Sequence, residues 1–348
     1  MNSVPVSVVI PCYCCADVLE RALCSVVNQS ALPLEVFLVD DASPDGGETR
    51  AEITRLVKLY NDSGCVSVKT LFLKVNVGPG MARNAGWNAA TQDYVAFLDA
   101  DDSWGPEKLA LQFAWMEQHH DVAMTGHLIA YGDDHLAEIG HFASAAVSLR
   151  RMLFKNQLLT STVMVRRIVS QRFSSGERYS EDYSLWLRML AAGRQAAVLA
   201  VPLAMAHRPA FSHGGLSAAL WKMEYAELCN FWHLVENKHI SVGMGFLASL
   251  FSLFKFMRRS IFTLMCMLAA TPLTIQFFLK PHLISLSRYF KTTLVFNSRT
   301  DAYLPPMELP VRQVSVGIQR KIAPFRDLLA LFELLRLFWR ERFDLVVT

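Results

Sequence analysis

Short, largely apolar runs, two of them ending at acidic residues, constrain this chain more than any other feature. Val6–Pro11 (VSVVIP) and Leu34–Val39 (LEVFLV) are such runs, and the second stops at Asp40-Asp41. Tyr94–Leu98 (YVAFL) is another, and it stops at Asp99-Ala100-Asp101-Asp102. Short apolar runs of this kind suit strands buried on both faces of a sheet. Helical patterns lie between them. Val18, Leu19, Ala22, Val26 and Val27 fall on one stripe, residues 46–62 form a second helical stretch, and Gly78-Pro79-Gly80 precedes a helix over Met81–Ala90. Pro106 suits the first turn of a further helix that reaches about His120. Strands alternating with helices predict a mostly parallel sheet covered on both sides. In such open sheets ligands bind beyond the carboxyl ends of the strands. Asp40, Asp41, Asp99, Asp101 and Asp102 should therefore line one crevice, although they are distant in sequence.

The downstream pattern is looser. Val66–Leu73, Val122–Tyr131, Ser161–Arg166 and Ala196–Val201 are predicted strands, and Asp182–Ala192 is a helix closed by Gly193. Leu216–His233 is a helix carrying several aromatics. From Gly243 the composition changes, and Ser260–Leu279 holds 20 residues without a charge. That length spans a hydrocarbon core of about 30 Å. Pro272 and Gln276 count against a spanning helix, which leaves a surface-lying helical pair or a packed core helix as alternatives. Residues 297–310 read as a loop, and about 313–343 as an amphipathic helix. The expected organisation is a catalytic α/β domain over 1–217 and an α-helical, apolar region over 218–348.

Composition narrows the class. With 52% hydrophobic and 19% charged residues, the chain is not disordered. From residue 250 onward it carries 14 Lys and Arg against 6 Asp and Glu, a balance that suits an anionic lipid surface. Seven cysteines, an odd number, fit a reducing compartment better than a disulfide framework. Cys12, Cys14 and Cys15 have no second Cys/His group at zinc-like spacing. The start, MNSVPVSVVIPCY, lacks a charged leader and enters a strand directly. A cytoplasmic chain is expected, with a place at the cytoplasmic face of a membrane if 243–296 makes contact there. No nucleic-acid partner is expected.

Four clusters carry chemistry. Asp99, Asp101 and Asp102 crowd like charges just past a buried strand, which a hard divalent cation such as Mg²⁺ or Mn²⁺ would relieve. A solvated turn with a helix cap at Ser103 would look the same. Asp40 and Asp41 can accept hydrogen bonds from a base or ribose, or open a helix as an Asx-turn. In Gly78-Pro79-Gly80-Met81-Ala82-Arg83, the glycines allow close backbone approach and Arg83 can meet a phosphate or base. Glu181-Asp182 is an acid pair that also suits a helix start.

In order and spacing, VSVVIPCY, VDDAS, GPGMARNAG, YVAFLDADDSW and SEDYSLWLRM resemble the family-two glycosyltransferases of the GT-A fold, over about residues 5–217. The resemblance implies a mostly parallel Rossmann-like sheet and metal-dependent, inverting transfer of a sugar from a nucleotide-diphosphate sugar to an acceptor hydroxyl. UDP is the default carrier. The implied acceptor is a sugar or a lipid-linked sugar, in cell-surface polysaccharide or glycolipid synthesis. Residue by residue, it implies Pro11, Tyr13, Asp40, Asp41 and Arg83 beside the nucleotide, Asp99 towards the ribose or sugar, and Asp101 with Asp99 on the metal. It makes Asp182 the general base, with Trp186 and Arg188 on the helix behind it. His213 matches a late segment that closes over the diphosphate. The family usually carries Asn after the Tyr of the first motif, where this chain has Cys14-Cys15. A nucleotidyltransferase would show a Gly-rich basic loop after the first strand, and a dinucleotide oxidoreductase a Gly-any-Gly loop there. Neither is present. A non-catalytic scaffold would be expected to lack Asp99, Asp101 or Asp182, and all three are here.

Overall fold

The computed structural model describes residues 2–62, 64, 66–131, 142–207 and 220–263, with short strands at 268–269, 293–296 and 312–315. In order the elements are β1 (Asn2–Cys12), α1 (Leu19–Val27), β2 (Ala31–Asp40), α2 (Glu48–Asp62), β3 (Ser67–Phe72), α3 (Pro79–Ala89), β4 (Tyr94–Phe97), β5 (Asp102–Trp104), α4 (Lys108–Gln118), β6 (Val122–Tyr131), β7 (Ser144–Val147) and α5 (Leu149–Met152). A 3₁₀ turn (Thr160–Thr162) follows, then β8 (Met164–Arg166), α6 (Glu181–Ala191), β9 (Gln195–Ala206), α7 (Leu220–Glu236), α8 (Val242–Thr263), β10 (Leu268–Ala269), β11 (Thr293–Phe296) and β12 (Arg312–Ser315). The chain divides into two compact units, residues 1–210 with 220–252, and 211–219 with 253–348. In the second, β10, β11 and β12 pair in parallel. Arg312–Ser315 is thus a strand where the sequence pattern suggests a helix from about 313. The rest of 313–343 lies outside the described residues, as does most of Ser260–Leu279.

The first unit is the expected α/β sheet, ordered β3-β2-β1-β4-β8-β6-β9-β5, with β7 on β9. β3, β2, β1 and β4 are mutually parallel, while β8 enters antiparallel to β4 and β6. Alternate side chains go to opposite faces, and both faces are buried. Val6, Val8, Ile10, Val36, Leu38 and Ala96 pack with Leu19, Leu23, Ile53, Leu56 and Leu109 of α1, α2 and α4. Val9, Phe37, Val39, Val95 and Phe97 pack with Trp87, Trp186, Leu187 and Phe231 of α3, α6 and α7. This two-sided burial is why these strands are apolar at successive positions.

Two departures from the sequence pattern bear on the site. Ser161 belongs to the 3₁₀ turn, and the strand begins at Met164. Asp102–Trp104 is a strand, β5, held antiparallel against the end of β9. Gly86 explains how α3 reaches the sheet. A Cβ there would sit 2.4 Å from Cγ1 of the buried Val9, so a larger residue would push α3 outward.

One buried charge ties the first strands of the sheet together. Glu35, on β2, accepts from Ser7 Oγ (2.7 Å), Thr91 N (2.6 Å), Thr91 Oγ1 (2.9 Å) and Lys69 Nζ (2.6 Å). Burial opposes its ionisation, but these donors outweigh it and hold its pKa down at about 2. The folded pKa lies below the unfolded one, so the stabilisation is complete above the unfolded pKa, near 4.3, and is lost as pH falls towards 2. Glu35→Gln should cost about 3 kcal/mol at pH 7 and progressively less below pH 4. Urea unfolding of both proteins at several pH values measures this. A cost that does not vary with pH would contradict it.

Candidate active site

The parallel register brings the acidic motifs to one sheet edge. Cys12 pairs with Asp40, and Val9 pairs with Phe97 two residues before Asp99. Tyr13, Asp40-Asp41 and Asp99–Asp102 therefore emerge side by side beyond β1, β2 and β4. Pro11 is the penultimate residue of β1, opposite Val39. The Tyr13 ring is half exposed there.

The first two motif loops are bonded to each other. Ser43 Oγ donates to Asp40 Oδ1 (2.7 Å) and accepts from Cys14 N (3.0 Å). Thr49 Oγ1 accepts from Cys15 N (3.0 Å). Cys14 and Ala42 both take left-handed backbone, with φ of 47° and 51°. Asn tolerates that region better than most residues, which gives a physical reason for the family's Asn at the Cys14 position.

Asp41 is buried and engaged with the glycine loop. Its Oδ1 accepts from Val77 N (2.7 Å), and its Oδ2 from Gly78 N (2.8 Å) and Asn76 Nδ2 (3.0 Å). Burial raises its pKa, while these amides pull the other way. Asp41 thus fixes the loop that launches α3, whose N-cap Gly78 sits at φ 89°. One helical turn further on, Arg83 is buried and spans two carboxylates. Nη2 donates to Asp99 Oδ1 (2.7 Å) and Nη1 to Glu181 Oε1 (2.9 Å). Burial works against its charge, but Asp99 and Glu181 outweigh burial and keep it protonated. This ion pair brings the end of β4 and the start of α6 into one site.

α6 begins under strain. Ser180, its N-cap, is a non-glycine residue at φ 55°, and its carbonyl accepts from Ser184 N and from Asn230 of α7. Asp182 follows, with Oδ2 accepting from Thr160 Oγ1 (2.8 Å) and Oδ1 from Tyr183 N (2.7 Å). Burial raises its pKa against the pull of Arg83 and Thr160. Glu181 is pushed up to about 7 by burial, against Arg83 and helped by Asp182.

The acidic loop is held from the other side. Ser161 Oγ donates to Asp102 Oδ2 (2.5 Å) and accepts from Asp99 N (3.2 Å). The Asp101 carbonyl accepts from Arg21 Nη2 (2.9 Å). Burial, then the charges of Asp99 and Asp101, push Asp102 up to about 8. Asp99, Asp101 and Asp102 present hard oxygen donors, the kind a divalent cation such as Mg²⁺ or Mn²⁺ takes. No group of three or more His, Cys, Asp and Glu among the described residues could hold a metal alone. A cation here would take part of its ligand set from phosphate oxygens, as Mg²⁺ commonly does.

His213 lies outside the described residues. His207, at the end of β9, does reach the acidic loop, with Nε2 2.7 Å from Ser103 Oγ. Sequence reasoning also passed over Thr160 and Ser161. Three hydroxyl residues in succession, Thr160-Ser161-Thr162, were the available signal, because a buried strand seldom begins that way.

A mostly parallel sheet with acidic residues clustered beyond its carboxyl edge, continued by mixed strands, is the architecture of nucleotide-sugar transferases of the GT-A type. The fold of this chain resembles that of Staphylococcus aureus TarS 1–349, solved with UDP-GlcNAc, with a TM-score of 0.57 and 20% identity over 83% of this chain and 81% of that one. Of a longer TarS chain it covers 40%. Mannosyltransferase PcManGT from Pyrobaculum calidifontis, solved with GDP-Man and Mn²⁺, is similar at a TM-score of 0.52 and 16% identity, over 83% and 81%. The model of glycosyl transferase family 2 matches residues 7–173. An uncharacterized glycosyltransferase of Haemophilus influenzae is 30% identical over 199 residues, 56% of this chain and 76% of that protein. The Escherichia coli UDP-Glc:alpha-D-GlcNAc-diphosphoundecaprenol beta-1,3-glucosyltransferase WfaP is 28% identical over 192 residues, 55% and 72%. The chain belongs to glycosyl transferase family 2.

Removing Arg83 would leave the buried Glu181 and the partly buried Asp99 without the cation they share. Arg83→Met should destabilise the fold by about 3–5 kcal/mol. Chemical denaturation of the purified variant at neutral pH gives the number. A loss under about 1 kcal/mol would mean that the pair contributes no more than an exposed one.

Proposed function

We propose that this chain moves a sugar from a nucleotide-diphosphate donor to an acceptor hydroxyl in a single inverting displacement. Asp182 is the general base, and Asp101 with Asp99 would hold Mg²⁺ or Mn²⁺. The observation that carries this reading is the Arg83 bridge, which keeps Asp99 and the Glu181-Asp182 pair within one guanidinium's reach. Pro11, Tyr13, Asp40, Asp41 and Arg83 make up the donor side together with Asp99. Asp41 and Arg83 serve it through the loop and carboxylates they fix. His213 remains part of the proposed donor set. When bound, the cation would supply positive charge against the departing diphosphate. Asp182 takes the acceptor's proton as the new C–O bond forms, which a hydroxyl needs before it becomes a competent nucleophile. Each oxygen of Asp182 accepts one hydrogen bond from the protein, and each retains a lone pair for that proton. A single displacement assisted by one base inverts the anomeric carbon.

UDP is the proposed carrier, in line with the donor named for the E. coli relative. A sugar or lipid-linked sugar is the proposed acceptor, in polysaccharide or glycolipid synthesis, and the diphosphoundecaprenol in that relative's name supports this. The proposed catalytic domain is 1–217, and the region 218–348 makes a contact at the cytoplasmic face of a membrane through 243–296. Support comes from α8, where Val242, Phe246, Leu247 and Leu250 are each at least half exposed. Isolated surface apolar residues are common, but four on one helix are a patch. No helix among the described residues is long and apolar enough to cross a membrane.

The test is a nucleotide-sugar screen with Mg²⁺ or Mn²⁺ present, repeated with EDTA. Transfer should require the metal. Asp182→Asn should lower kcat by about 10²–10⁴-fold with donor binding retained. Wild-type turnover in that variant would remove Asp182 from the role of base.

A further inference from the structure

The proposed base and the acidic loop that carries the proposed metal ligands lie on different elements, and the 3₁₀ turn Thr160–Thr162 hydrogen-bonds to both. Thr160 Oγ1 donates to Asp182 Oδ2 (2.8 Å), and the neighbouring Ser161 Oγ donates to Asp102 Oδ2 (2.5 Å) while accepting from Asp99 N (3.2 Å). All three residues of the turn are buried. Its own position is over-determined. Trp104 Nε1 donates to Ser161 O (2.7 Å), Gln112 Nε2 to Thr162 O (3.0 Å), and Phe97 N of β4 to Val163 O (3.2 Å). A turn fixed from three directions has little freedom to let its two hydroxyls move separately.

We infer that Thr160 and Ser161 are positioning residues: Thr160 orients the Asp182 carboxylate for proton removal, and Ser161 sets the acidic loop that receives the donor. The inference rests on the proposed transfer reaction and deepens it by assigning two groups to separate steps. A hydroxyl suits the task. It gives a directed hydrogen bond to a carboxylate without adding charge to a site where acids already repel one another. Asp182 is faced by Arg83 from α3, Asp99 from beyond β4, Glu181 on its own helix and Thr160 from the turn. Of these, Thr160 makes the hydrogen bond that fixes Oδ2.

The two roles separate in kinetics. Thr160→Val keeps the side-chain shape and removes the donor. It should lower kcat about ten- to hundredfold, leave the donor KM nearly unchanged, and move the acid limb of the kcat–pH profile up by about one pH unit. Thr160→Ser restores the hydroxyl and should recover most of kcat. Ser161→Ala should weaken binding of UDP with Mn²⁺ about tenfold in a calorimeter, a readout independent of turnover, with a smaller effect on kcat at saturation. Melting curves of each variant exclude global unfolding as the cause. The inference is overturned if Thr160→Val keeps the wild-type kcat and pH limb, if Thr160→Ser is as impaired as Thr160→Val, or if Ser161→Ala binds UDP like the wild type. Wild-type turnover in Asp182→Asn is a distinct result. It would overturn the assignment of the base itself, and the role of Thr160 with it.

Discussion

The guanidinium of Arg83 sits where two halves of the first unit meet. One nitrogen holds Asp99 at the end of a parallel strand, and another holds Glu181 at the start of a helix that follows nearly a hundred residues later. A buried ion pair adds little net stability over a well-packed apolar substitute, because desolvation consumes most of the attraction. Its effect is on geometry. Unmatched carboxylates at this depth would repel or take up protons, so one acceptable arrangement of α3, β4 and α6 remains. That arrangement puts the acidic loop and the acid pair on the same side of the sheet. Gly86 contributes to it, since α3 carries Arg83 and can lie against Val9 because no Cβ intervenes.

Strain collects at the same edge. Cys14, Ala42 and Ser180 adopt left-handed backbone without being glycine, a conformation costing about 1–3 kcal/mol each when the surroundings impose it. The surroundings do so through short polar contacts: Ser43 to Cys14 and Asp40, and the Ser180 carbonyl to Ser184 and Asn230. Loops held this tightly are preorganised, and a site that must align three reacting partners benefits from that.

The strands β1, β2 and β4 were legible because they are largely apolar on both faces, and β2 and β4 run into acidic residues. Period and punctuation are both written locally there. That the acidic residues after β2 and β4 would share one sheet edge followed from a general rule about open sheets and needed no knowledge of contacts. The partner choices of individual atoms were hidden. Nothing local says that Arg83 would spend its nitrogens on Asp99 and Glu181, or that Asp41 would be occupied by the amides of Val77 and Gly78. These are consequences of how α3 docks. Thr160 and Ser161 escaped notice because they run on into the apolar residues of β8. Their meaning appears when α6 and the acidic loop close on them from either side. β5 was missed for a similar reason: three residues, Asp102–Trp104, become a strand because the end of β9 offers them a ladder, a choice made by tertiary context.

Electrostatics joins these observations. Five carboxyl groups, Asp99, Asp101, Asp102, Glu181 and Asp182, share one region, and Arg83 is the guanidinium bonded to two of them. Arg21 spends its nearest donor on a carbonyl, that of Asp101. Burial first, and the neighbouring carboxylates after it, push Asp102 up to about 8 and Glu181 up to about 7. A nucleoside diphosphate brings further negative charge, so on the proposed reading it cannot settle beside this cluster unaccompanied. Positive charge must arrive with it. The neutral hydroxyls of Thr160 and Ser161 fit that logic: a lysine in their place would quench the very excess that makes room for a cation.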